Sequence, residues 1–184
     1  MPRPRAAQQP EFSRLIEVDQ IGTAGVSLEV TAEPAEREAL ARRFDLVGLD
    51  RLTASVTVSP LSRRLYRVDG SFEAEVVQSC VVTLEPVPVE LAETFSALFG
   101  EGGPGAAALF AGHDRDDVPE PIEGGAIDIG ETVAQHLALA LDPYPRKPGA
   151  SLPQQYSAAG EGGAGEGRGN PFTALGSLKR PRDR

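Results

Sequence analysis

The sequence predicts an α+β fold: a curved antiparallel β meander of about five or six strands, packed by two main helices, with a flexible loop and a C-terminal tail. Three observations predict it. Apolar residues alternate with a period of two through the middle of the chain. The segments "EPAEREALARRFDL" and "IDIGETVAQHLALAL" change to a helical spacing. The alternating runs are joined by short turns, which link sequential strands as antiparallel neighbours rather than as a parallel sheet.

Each element has its own signal. In "GVSLEVTA", Val26, Leu28 and Val30 alternate with Ser27, Glu29 and Thr31, the pattern of a half-buried strand. The helix that follows opens on Pro34, which suits a first helical turn. Leu40 and Phe44 fall four apart with Ala41 beside them, and Glu38 is spaced to pair with Arg42 on the wet face. Leu52, Ala54, Val56 and Val58 share the next strand's apolar face. After the turn "SPLSRR", Tyr66, Val68, Gly70, Phe72, Ala74, Val76 and Cys80 share one parity. A third run carries Val87, Val89, Leu91, Phe95, Ala97 and Phe99 on one parity. Pro86 and Pro88 mark an edge or a bulge there, since proline cannot donate to a ladder. "GEGGPGAAALFAGHDRDDVPEPIEGG" reads as a loop with a central acidic run. In the last helix Asp128 and Glu131 form a D-x-x-E capping pattern. Ile129, Val133, Leu137 and Leu141 make one stripe that belongs on the sheet. "DPYPRKP" ends that helix.

This organisation gives a single domain over residues 11–148, a flexible Gly-rich linker over 149–169 and a docking segment over 170–184. The chain's 184 residues suit one domain with tails. A single cysteine precludes an intramolecular disulfide, so nothing argues for an oxidising compartment. The first residues carry two arginines but no apolar core of a secretory signal, and no run approaches the length of a membrane span. A cytoplasmic protein without membrane contact is expected.

The net charge of -9 is unevenly spread. Arg3 and Arg5 give the first ten residues +2. Lys179, Arg180, Arg182 and Arg184 against Asp183 give the last fifteen +3, which leaves -14 on the body. Such a body repels phosphate backbones at long range. It leaves open local contact with RNA at the basic ends, or contact through a protein partner.

Chemistry-bearing residues are few. Cys80 has no base placed beside it by spacing, so it reads as a buried structural cysteine rather than a nucleophile. His113, Asp114, Asp116 and Asp117 lie close together but lack the spacing of a calcium loop, and they read as a solvated charge run rather than a metal site. The glycine runs neither follow a strand nor open a helix with a phosphate-binding pattern. No catalytic constellation assembles, so neither an enzyme nor a cofactor is expected, and a metal-dependent hydrolase using His113 and Asp116 is set aside. Arg42, Arg43, Arg63, Arg64 and Arg67 are either a phosphate-contacting patch or solvated charges paired with nearby acids.

The chain's end differs from these. Asn170 and Pro171 suit a helix start. Phe172, Leu175 and Leu178 then recur on one face, followed by Lys179 and Arg180. A helix this short is not stable alone, so its apolar face must dock either on its own sheet or on a partner.

Four features together resemble the YceD family, the large ribosomal RNA subunit accumulation proteins. They are "EREALARRFDL" before the meander, the stretch "SCVVTLEPVPVELAETFSALF", an acidic loop running into "IDIGETVAQHLALALDPYPR", and the end "NPFTALGSLKR". The resemblance covers most of residues 11–180. Many members have two cysteines. Here Cys80 matches the first, and Thr83 stands in the second place. One thiolate does not make a zinc or dithiol site. The resemblance implies a non-enzymatic, bacterial ribosome-biogenesis factor that supports 23S rRNA accumulation and large-subunit assembly. Its expected partner is a large-subunit assembly intermediate, through rRNA, a basic ribosomal protein or both. A gene for a small large-subunit ribosomal protein often neighbours that of family members. That leaves a second reading, a holdase or escort for a basic ribosomal protein.

Overall fold

The computed structural model describes residues 10–62, 65–100, 119–122 and 124–151. The order of elements is β1 (Leu15–Glu17), a short 3-10 turn (Val18–Gln20), β2 (Val26–Thr31), α1 (Pro34–Arg43), β3 (Gly48–Ser62), β4 (Leu65–Ser79), β5 (Pro86–Gly100), β6 (Glu120–Pro121), β7 (Ala126–Asp128) and α2 (Ile129–Ala140). The architecture is α+β, as the alternation and the two helical segments predict.

The main sheet has the order β2-β3-β4-β5-β6 and is not closed. Strands β2 to β5 form the expected antiparallel meander. The short β6 joins β5 in parallel, with Phe99 opposite Glu120. A second sheet pairs β1 with β7, antiparallel.

One face of the main sheet is the core. Leu52, Ala54, Val56 and Val58 on β3 and Val68, Phe72, Ala74 and Val76 on β4 are all buried, which is the parity that the sequence assigned. Gly70 on this parity is a packing requirement. A Cβ there would stand 2.6 Å from the ring of Phe95, directly opposite on β5. Ile129, Val133 and Leu137 of α2 are fully buried and close the core over the sheet. Leu40 of α1 is fully buried too.

The caps differ in part from the sequence pattern. The Asp128 carboxylate accepts from the N–H of Glu131 at 3.2 Å, as an N-cap should. The Glu131 side chain does not return to Asp128 but turns outward to Arg43. Asp128 also accepts from Ser13 Oγ at 2.6 Å and the Arg14 N–H at 2.8 Å, tying the N-terminal segment to the helix start. On α1 the Glu33 N–H donates to Glu36. The expected Glu38–Arg42 pair is not among the ion pairs of the described residues. Glu36 instead holds Arg14, whose guanidinium keeps that carboxyl below its usual range.

Candidate functional site

Three surfaces stand out: the sequence-predicted basic residues, the turn around Cys80, and the two faces of the main sheet. Among the described residues, Arg42 and Arg43 on α1 do not share a patch with Arg67 on β4. Arg43 makes a two-pronged ion pair with Glu131, both contacts at 2.7 Å, and a further contact with Glu11 at 3.0 Å. Those carboxylates hold its guanidinium firmly charged and join α1 to α2 and to the N-terminal segment. Arg42 lines a groove between α1 and the start of β3, beside Glu38 and Asp50. Arg67 lies opposite Ser59, ten residues along β3 from Leu49. That is about 30 Å of strand from the Arg42 groove. Arg63 and Arg64 lie outside the described residues, as do Asn170, Pro171, Phe172, Leu175, Leu178, Lys179 and Arg180 of the C-terminal segment, and the acidic run around His113.

Cys80 sits just past the end of β4 rather than within it. It is inaccessible to solvent. Its Sγ accepts the backbone N–H of Thr83 and that of Lys147, each at 3.4 Å. The turn is closed further by the Cys80 N–H to the Glu85 carbonyl and the Leu84 N–H to the Cys80 carbonyl, both at 2.9 Å. Residues after α2 strap this turn from outside. The Val81 N–H donates to the Pro145 carbonyl at 2.9 Å, and Lys147 Nζ pairs with Glu85 at 3.0 Å. "DPYPRKP" therefore ends the helix and also supplies a donor to the thiol. No signal in the sequence could connect positions 67 residues apart.

The N–H of Lys147, followed by the groups of Thr83, brings the Cys80 thiol down to about 6, against the opposing effect of burial. The folded state thus favours the thiolate. This contribution is present in full above the unfolded thiol's value of 9.0 and is lost as pH falls through about 6. Thiolate absorbance should titrate with a midpoint near 6 in the folded chain. Stability should rise from pH 6 to 9 in the natural chain, and the rise should vanish in Cys80→Ser. That variant is otherwise expected to fold and to keep its function. Among the described residues no cluster of His, Cys, Asp and Glu side chains suits a metal ion.

The other face of the sheet, away from α2, is polar. Serines and threonines, among them Ser27, Thr57, Ser55 and Ser71, share it with Glu29, Asp69, Glu73, Glu75 and Glu90. Arg51 bridges Glu73 and Glu75 there at 3.0 and 2.9 Å. On the core side a groove of about 300 Å³ opens between β5 and α2, lined by Phe72, Glu93, Phe95, His136 and Leu139. His136 stacks on Phe95 with ring centroids 4.5 Å apart, and burial lowers its proton affinity.

A family model for the large ribosomal RNA subunit accumulation protein YceD matches residues 68–179, more than half of the chain. The chain belongs to the YceD family. No curated protein and no solved structure matches it. The match runs from β4 through β5 and α2 to the C-terminal segment, so this YceD chain's Cys80 turn, its β5–α2 groove and "NPFTALGSLKR" all fall inside it. Membership carries a role in large-subunit rRNA accumulation. No helix of the described residues is long and apolar enough to cross a membrane.

Proposed function

We propose that the protein is a non-enzymatic, cytoplasmic assembly factor of the bacterial large ribosomal subunit, supporting 23S rRNA accumulation through contact with a basic protein partner rather than with bare RNA. Family membership supports the role in rRNA accumulation. The acidic outer face of the sheet is the observation that favours a basic protein over RNA. Five carboxylates stand there against Arg51 and Arg67, and Arg51 is already held between two of them. Such a surface repels a phosphate backbone and attracts Lys- and Arg-rich chains. The same observation favours the second reading, an escort for a basic ribosomal protein. The C-terminal segment from Asn170 to Arg180 belongs to the same partner contact in this reading, with Phe172, Leu175 and Leu178 as its apolar anchors.

Two measurements test the proposal. Cells lacking the protein should show a reduced ratio of 23S to 16S rRNA. An unchanged ratio would refute the role. The purified chain should bind naked 23S fragments weakly, with a shallow dependence on salt. Tight, steeply salt-dependent binding would reverse the order of partners and return attention to Arg42, Arg63, Arg64 and Arg67.

A further inference from the structure

Strand β5 has an edge that the described residues leave unpaired over most of its length. It is bonded to β4 on one side, and on the other β6 meets only Phe99 and Gly100. The prolines reveal which backbone groups face outward. Proline has no N–H, so Pro86 and Pro88 suit positions that turn away from β4. By the two-residue period, Glu90, Ala92, Thr94 and Ser96 also direct N–H and C=O to the free edge. Gly100, on the same parity, confirms the assignment: its carbonyl accepts the Ile122 N–H from the β6 side at 3.0 Å. Long edges are usually blunted by proline, charge or cover. Here proline guards one end and β6 the other, which leaves residues 90–96 between them.

The two sides of this edge differ in chemistry. On the core side lies the groove with Phe72, Phe95, His136 and Leu139, the last 81% exposed at its rim. Glu93 faces the same side, opposite Phe72. On the outer side Glu90 stands opposite Glu75, Ala92 opposite Glu73 and Ser96 opposite Asp69. A strand added here would place alternate side chains in an apolar groove with one carboxylate and on an acidic sheet face.

We infer that residues 90–96 of β5 form a strand-addition site for an extended partner segment alternating apolar and Lys or Arg residues, its apolar side chains seated in the β5–α2 groove and its cations on the outer acidic face. The inference rests on the reading of a basic protein partner and gives that partner a site. Charge complementarity selects it over an acidic peptide or RNA.

The test uses the full chain and a short labelled peptide alternating valine and lysine, followed by fluorescence anisotropy. The peptide should bind, more weakly as salt rises, and a valine–glutamate peptide should not. Ala92→Pro removes an edge donor without touching the β4 ladder and should weaken binding about tenfold. Ala92→Val keeps the N–H and should bind as the natural chain does. Glu93→Lys and Leu139→Asp should each weaken binding, and they carry the test if Ala92→Pro melts early. Amide exchange at Ala92, Thr94 and Ser96 should be fast in the free chain and slow with peptide. Absence of binding, or equal binding by all three weakened variants, overturns the site. Edge amides protected without peptide overturn it too, assigning the edge to a second copy if the chain is a dimer and to the chain's own residues if it is a monomer. An oligoribonucleotide that displaces the peptide also overturns it. None of these results depends on the 23S to 16S ratio, so the site and the biological role fail separately.

Discussion

Leu137→Ala is expected to destabilise the protein by about 2–5 kcal/mol, the range for emptying a fully buried leucine site. Leu137 is inaccessible to solvent and shares its stripe with Ile129 and Val133, which are equally buried. That stripe is how α2 seals the core face of the sheet, so the cavity would open between layers that cannot collapse independently. The melting temperature should fall by roughly 5–20 °C. Leu139→Ala, two residues on and 81% exposed, is the control. It should move the melting temperature hardly at all, and thermal unfolding of the pair checks both statements.

Gly130→Ala is expected to destabilise by about 1–3 kcal/mol, the cost of crowding a packed site. In an exposed helix interior the same change stabilises by about 1 kcal/mol, so here packing sets the sign. A Cβ on Gly130 would lie 2.7 Å from the Phe12 carbonyl oxygen and 2.9 Å from the Arg14 nitrogen. Both are backbone atoms, and they cannot step aside as a flexible side chain could. The Ile129 N–H also donates to the Arg14 carbonyl at 2.9 Å. Relieving the clash therefore strains the contact that fixes the N-terminal segment on α2. Equal or higher stability of the alanine variant would contradict this packing.

The same region shows what could be read in the sequence and what could not. Period-two runs such as Leu52 to Val58 and Tyr66 to Val76 state which face is buried, because alternation follows directly from strand geometry. The stripe from Ile129 to Leu137 does so for α2. Strands β1 and β7 are three residues each, too short to show a period, and Leu15 on β1 is 65% exposed. Strand β6 is two residues and ends in proline. Parity correctly marked Cys80 as buried, but it could not show that the strand stops one residue earlier and that Lys147 reaches the sulfur. Of the edge or bulge that Pro86 and Pro88 mark, the described residues show the edge: there β5 pairs with β4 alone, without a register shift. Arg43 takes the paired form of the two readings that the sequence leaves open. Its partner Glu131 lies 88 residues away, and nothing local distinguishes an arginine held by two carboxylates from one free to meet phosphate. Arg42 on α1 lies by the start of β3 and Arg67 on β4 lies opposite its far end, because the long strand β3 carries the chain from one to the other.

Affinity capture of the full chain from cells, with and without ribonuclease, separates a protein partner from an RNA partner. A direct protein partner requires that one basic large-subunit ribosomal protein stays bound after the RNA has been digested, and that the same protein binds the purified chain. Loss of every ribosomal protein on ribonuclease treatment, with 23S rRNA recovered directly in untreated samples, would contradict it.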